Sequence, residues 1–125
     1  MESTAPAARR RILLVDDNER LARIIALQLR LSGAWFVVGA ARTPSEALSL
    51  AATEHPDLVL LDLWLGGADT LGLIPELCRL APPPTVVVLT AEPGRSWHER
   101  ALAAGAAAYL SKIEVLDIPA ALARF

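Results

Sequence analysis

The stretch Asp57-Leu58-Val59-Leu60-Leu61-Asp62-Leu63 decides the fold. Residues 58 to 61 are uniformly apolar, and His55-Pro56-Asp57 turns the chain into them. A short Val/Leu-rich run without polar alternation reads as a strand buried on both faces, as in a parallel sheet covered by helices. Working outward, three more runs end in the same manner. Ile12 to Val15 stops at Asp16 and Asp17, Val86 to Leu89 stops at Thr90, and Ala107 to Leu110 leads through Ser111 to Lys112. In a parallel sheet every strand points the same way, so the residues just past the strand ends gather on one edge, where open α/β sheets bind ligands. Three carboxylates, a hydroxyl and an ammonium are expected to meet there.

The segments between these runs are helix-length. Asn18 to about Leu31 carries Leu21, Ile24, Ile25 and Leu29 at helical spacing. Ser32-Gly33 ends it, and Trp35 to Val38 forms a further strand. Thr43-Pro44-Ser45-Glu46 is a capping box with proline at the first helical position, so a second helix starts there and runs to about Thr53. Gly66-Gly67 predicts a flexible loop, Pro75 a delayed or kinked third helix, and Ala81-Pro82-Pro83-Pro84 a stiff extended connector. Glu92-Pro93-Gly94 reads as a turn and Ser96 to Ala104 as the fourth helix, stopped by Gly105. Asp117-Ile118-Pro119 looks like a helix start with six residues after it, a marginal length that leaves room for the natural polypeptide to continue past Phe125. The expectation is an α/β, (βα)5 doubly wound five-stranded parallel sheet with strand order 2-1-3-4-5. Residues 1–10 form a flexible tail and 11–125 one domain.

A chain of 125 residues forms one domain large enough to bury roughly two thirds of the surface its unfolded form exposes. The net charge of -2 lacks the basic excess that binding to a phosphate backbone demands, so no nucleic-acid contact is expected from this segment. Arg9-Arg10-Arg11 precedes only four apolar residues, which gives neither a signal peptide nor a membrane span. The three arginines are expected to form a solvated strand entrance. The single cysteine, Cys78, rules out an internal disulfide, fits a reducing cytosol and is expected to be a buried small hydrophobe. His55 and His98 read as surface residues, and Trp35 and Trp97 as core and helix-face aromatics.

Converging carboxylates are costly, since a like-charge pair at about 4 Å repels by roughly 4 kcal/mol at an effective dielectric near 20. A divalent cation relieves this, and a few hard oxygen ligands with room for water suit Mg²⁺, with Mn²⁺ as a substitute. Each residue alone has an ordinary explanation: Asp17 or Asn18 could cap a helix, Asp62 a turn, and Thr90 could be a β-branched strand residue. Their joint placement past successive strands is what carries the reading.

The chain resembles the receiver domains of bacterial two-component response regulators, the fold of the single-domain chemotaxis regulator, over residues 11 to about 125. The matching residues are Asp16-Asp17, Asp62 in Leu-Leu-Asp-Leu, Gly67 and Asp69, Thr90-Ala91, Gly105, and Tyr109-Leu-Ser-Lys112. The resemblance implies that Asp62 takes a phosphoryl group from a sensor histidine kinase or phosphotransfer domain in the cytoplasm, catalysing only its own phosphorylation and dephosphorylation. It implies Mg²⁺ held by Asp17, Asp62 and the Trp64 backbone carbonyl, with Asp16 acting through water. Thr90, Ala91 and Lys112 would bind the phosphoryl oxygens. Thr90 and Tyr109 would form the switch, and Trp64 and Glu92 occupy the positions that tune dephosphorylation. The Trp64 indole, unusually bulky there, is expected to screen the acyl phosphate from water.

Ile113 stands where many receivers carry a proline, and this ending resembles the NarL type, in which a receiver precedes a DNA-binding output domain. The alanine-rich stretch Ala101 to Ala108 could give a flat face for a homodimer or an output domain. A haloacid-dehalogenase-type phosphatase needs a second acid two residues after the first, and Asp16-Asp17-Asn18 lacks it. A flavodoxin-like module needs a phosphate loop where this chain has an acidic pair that repels phosphate. A receiver-like interaction domain that is not phosphorylated is the remaining alternative.

Overall fold

The computed structural model describes residues 9–91, 94–112 and 117–125. The elements run β1 (Arg10–Val15), α1 (Glu19–Ser32), β2 (Trp35–Ala41), α2 (Pro44–Glu54), β3 (Leu58–Leu61), β4 (Trp64–Leu65), β5 (Ala68–Asp69), α3 (Leu73–Cys78), β6 (Thr85–Thr90), α4 (Arg95–Ala104), β7 (Ala108–Ser111) and α5 (Ile118–Leu122). Five parallel strands form the main sheet in the order β2-β1-β3-β6-β7. Counted among themselves these strands are 2-1-3-4-5, the expected order. β1 begins at Arg10, inside the segment expected as tail, and the tail residues 1–8 lie outside the described residues.

Both faces of the sheet are covered, which is why the strands show no polar alternation. Leu13, Val15, Val59, Leu61, Val86 and Val88 pack with Ala47, Ala51, Ile74, Leu77 and Ala101 of α2, α3 and α4. The alternate residues Ile12, Leu14, Leu58, Leu60, Val87 and Leu89 pack with Ile25 and Leu29 of α1 and Ile118 and Leu122 of α5. β2 is longer than expected because its pairing with β1 shifts register between Ile12 and Leu13, which skips Val38 and lets the strand continue to Ala41.

The capping chemistry follows the residue types. Asn18 accepts the Leu21 N–H at 3.1 Å and Thr43 accepts the Glu46 N–H at 3.1 Å. Asp117 accepts the Ala120 N–H at 3.1 Å, which starts α5 despite its shortness. α3 is the short helix that Pro75 foreshadows, and it begins only at Leu73.

Several expectations are corrected. On α1 the buried face is Ala22, Ile25, Ala26 and Leu29, and Ile24 points outward at 52% exposure. The small alanines let the helix lie close to the sheet and turn Ile24 away from it. The Gly66-Gly67 pair is a tight two-residue connection between β4 and β5, which pair antiparallel. Both glycines have positive φ, 58° and 83°, which a type I′ hairpin turn requires. The proline-rich connector is not uniformly extended, since the chain bends at Leu80, Ala81 and Pro82 before it enters β6. Cys78 is half-buried, its Sγ 3.8 Å from the Gly105 carbonyl oxygen. In the alanine-rich stretch Ala101, Ala106 and Ala108 pack inward, while Leu102, Ala103, Gly105 and Ala107 are exposed.

The arginines at the entrance to β1 are more ordered than a solvated cluster. Arg10 lies over the Trp35 ring at 4.8 Å, and Arg11 donates to the Glu54 carbonyl at 3.1 and 2.8 Å. Among the described residues no helix is long and apolar enough to cross a membrane.

Candidate functional site

The backbone ladder continues one residue past three strand ends, and this gathers the polar groups. The Asp16 N–H donates to the Ala41 carbonyl of β2 at 3.0 Å, and the Asp62 N–H to the Val15 carbonyl of β1 at 2.9 Å. The Lys112 N–H donates to the Thr90 carbonyl of β6 at 2.8 Å. Side chains from distant parts of the chain thereby meet above the centre of the sheet. Carboxylate oxygens of Asp16, Asp17 and Asp62 lie within 4.8 Å of one another. Lys112 Nζ bridges two of them, at 3.1 Å from Asp16 Oδ2 and 2.9 Å from Asp62 Oδ2.

Asp16, Asp62 and Thr90 are buried and Asp17 is exposed. The second oxygens are also occupied: Asp16 Oδ1 accepts the Asn18 N–H at 2.8 Å, and Asp62 Oδ1 accepts the Trp64 N–H at 3.2 Å. Asp17 Oδ2 accepts the Gly66 N–H at 2.9 Å, so the hairpin turn is tied across to the end of β1. A cleft of about 280 Å³ opens over this group, lined by Asp17, Asn18, Asp62, Trp64, Gly67, Thr90, Ala91 and Lys112. Another hollow, about 340 Å³ between α1 and β2, is lined by Asp16 and by neither the lysine nor the other two carboxylates.

The charges do not balance, and both perturbed groups respond in the same direction. Burial raises the Asp62 carboxyl above its ordinary 3.8; Lys112 and the Trp64 N–H oppose that rise, and Asp16 adds to it. Burial disfavours the Lys112 ammonium, yet hydrogen bonds and charge from Asp62 and Asp16 outweigh it and lift the group above 10.5. One ammonium faces more than one carboxylate, so the cluster retains negative charge, and Asp62 and Lys112 both hold their protons more tightly. An all-oxygen acidic cluster of this kind is suited to a hard divalent cation.

Thr70 belongs to the site and sequence reasoning missed it. It is buried, and its Oγ1 donates within reach of the Asp62 carbonyl at 2.9 Å and the Leu63 carbonyl at 3.1 Å, fixing the backbone beneath Asp62. A threonine eight residues on, beyond a hairpin, carries no spacing signal of this role. Asp69 accepts the Leu71 N–H at 3.0 Å and closes the turn into α3. Tyr109 is partly exposed on β7 with its ring stacked on His98 of α4, centroids 5.3 Å apart. Glu92 and Ile113 lie outside the described residues.

A doubly wound parallel sheet with an acidic cluster, a hydroxyl and a lysine at its carboxyl edge defines a class: the phosphoacceptor domains of signalling proteins. The sequence model of the response regulator receiver domain matches residues 12–121, and the chain belongs to that family. The transcriptional regulatory protein PdtaR of Mycobacterium tuberculosis is 39% identical over 108 residues, which cover 85% of this chain and 51% of PdtaR. The chain thus spans about half the length of the curated relatives it matches. The signal receiver domain of a NarL response regulator from the same organism superposes with a TM-score of 0.87 at 28% identity, covering 94% of this chain and 96% of the other. A response regulator from Burkholderia pseudomallei, solved with a phosphorylated aspartic acid, a calcium ion and citrate, has a TM-score of 0.76 and 32% identity over 92% of this chain and 71% of its own.

Proposed function

We propose that Asp62 is the phosphoacceptor and that a sensor histidine kinase or phosphotransfer domain is its donor. The observation that carries this is the Lys112 bridge: one ammonium held 2.9 Å from Asp62 at the floor of the cleft, beside two further carboxylates. In the transfer a carboxylate oxygen of Asp62 attacks phosphorus as the phosphorus–nitrogen bond of the donor phosphohistidine breaks. The imidazole leaves with the bonding electron pair. Lys112 balances the charge on the phosphoryl oxygens, while Thr90 and the Ala91 backbone at the cleft wall hydrogen-bond them. Asp17, Asp62 and the Trp64 carbonyl would hold Mg²⁺, with Asp16 reaching it through water, and the ion supplies neutralisation of the phosphoryl charge. Positioning and charge neutralisation are the whole of the catalysis.

Phosphorylation adds about 1.5 to 2 negative charges beside Thr90. Drawing the Thr90 hydroxyl toward the new group vacates space for the Tyr109 ring, which leaves its stack on His98 and alters the face made by α4, β7 and α5. Trp64, in the cleft wall, slows the approach of water to the acyl phosphate. The chain is a signalling domain of the cytoplasm that catalyses only its own phosphorylation and dephosphorylation. The NarL-type ending and the longer relatives support a DNA-binding output domain in the whole protein.

Incubation with acetyl phosphate and Mg²⁺ tests the assignment. The expected product is an acid-stable, hydroxylamine-labile phosphoprotein formed by wild type and not by Asp62→Asn. A wild type that stays unmodified would favour the unphosphorylated interaction domain.

A further inference from the structure

Trp64 is not held in the cleft wall by its own hairpin alone. Its ring meets that of Trp97, the third residue of α4, with centroids 5.1 Å apart and planes at 73°, the edge-to-face geometry that aromatic pairs prefer. Trp97 is in turn held from its other neighbours. The Arg100 guanidinium lies over it at 4.5 Å, and the ring packs against the core beneath α4. Trp97 is partly buried and does not line the cleft in which the phosphoryl group would sit. The backbone of Trp64 is pinned independently, by its N–H to Asp62 and by pairing with Asp69. What remains free in Trp64 is the rotation of its side chain, which packs on the core at its base and against the Trp97 ring.

We infer that Trp97 is a positioning residue for the lifetime of the acyl phosphate: by fixing the Trp64 indole over the cleft it excludes the hydrolytic water. This rests on the phosphoacceptor reading of Asp62. In the step it slows, a water oxygen attacks phosphorus and the bond from phosphorus to the Asp62 oxygen breaks. The electron pair returns to the carboxylate, and inorganic phosphate and a proton are released. An untethered indole samples rotamers that leave the attack path open. Because Trp97 belongs to α4, whatever occupies or moves that helix changes the lifetime of the phosphoryl group.

The test follows loss of the phosphoprotein after acetyl phosphate is removed, with Mg²⁺ present throughout, for wild type, Trp97→Ala, Trp97→Phe, Trp64→Ala and the double alanine variant. The expected half-life of Trp97→Ala is shorter by about two- to tenfold, the range an aromatic pair of this kind converts into. Trp97→Phe keeps most of the wild-type lifetime, and the double variant decays no faster than Trp64→Ala. Should Trp97→Ala fail to fold in a thermal melt, Trp97→Leu preserves apolar burial without the ring and gives the same direction. Wild-type decay in a folded Trp97→Ala or Trp97→Leu overturns the inference, and so does a double variant whose effects multiply. A wild type that is never phosphorylated sinks the Asp62 assignment itself, a result plainly distinct from an unchanged half-life.

Discussion

Asp62 sits in surroundings that disfavour its charge, and this sets how the ion-free protein responds to pH. Its folded-state pKa is raised above 3.8, first by burial and then by Asp16, against the opposing pull of Lys112. A carboxyl raised in this way contributes its full stabilisation below the unfolded pKa, and that contribution is lost as pH rises through the folded value. Asp62→Asn keeps an oxygen for Lys112 and cannot lose a proton. In chelator, its melting temperature relative to wild type should therefore climb from about pH 4 toward neutrality. A difference that is flat with pH would show that Asp62 carries no strain as a carboxylate. Lys112 follows the same sign in a much higher pH window: its raised pKa keeps its stabilisation intact below 10.5, to be lost only as pH rises through the folded value, so it stays charged across the range where Asp62 ionises.

Elements are held to one another by contacts that single residues control, and the end of α4 is the sharpest case. Gly105 has φ 122°, and a Cβ there would lie 3.0 Å from Cys78 Sγ on α3 and 3.7 Å from Ile74 Cγ2. Gly105→Ala thus combines an unfavourable backbone conformation, about 1 to 3 kcal/mol, with a collision between α4 and α3. Adding Cys78→Ala removes the nearer obstacle. The double variant should recover part of the loss in urea unfolding, and no recovery would assign the whole cost to the backbone. The cap of α2 and the start of α5 were legible from Thr43, Glu46, Asp117 and the prolines, because a side-chain oxygen three residues before a free N–H is a local matter. The β4–β5 hairpin was not, because two glycines permit a tight turn and a loose one equally until Trp64 and Asp69 find each other as partners.

Over the whole molecule, the site is a junction of four strands and two helical layers, so an ion bound there should stabilise everything beneath it. Binding to the folded state alone adds about 2.7 kcal/mol when the ion stands at about 100 times its dissociation constant. Mg²⁺ should raise the wild-type melting temperature by several degrees and leave that of Asp17→Asn nearly unchanged, and chelator should reverse the shift. An equal shift in both proteins would place the ion away from the acidic cluster.

The strand order and the gathering of Asp16, Asp17, Asp62, Thr90 and Lys112 at one edge of the sheet were readable from the chain, because a strand buried on both faces must be largely apolar and the polar residue at its end marks where it stops. The side-chain preferences that specify strands and caps act over a few residues, so the linear order carries them. Which face of α1 meets the sheet, how Thr70 braces the backbone under Asp62, and that Trp64 leans on Trp97 all depend on the packing of segments far apart in sequence. Those contacts are selected only when both helical layers close on the sheet, and tertiary structure alone decided them.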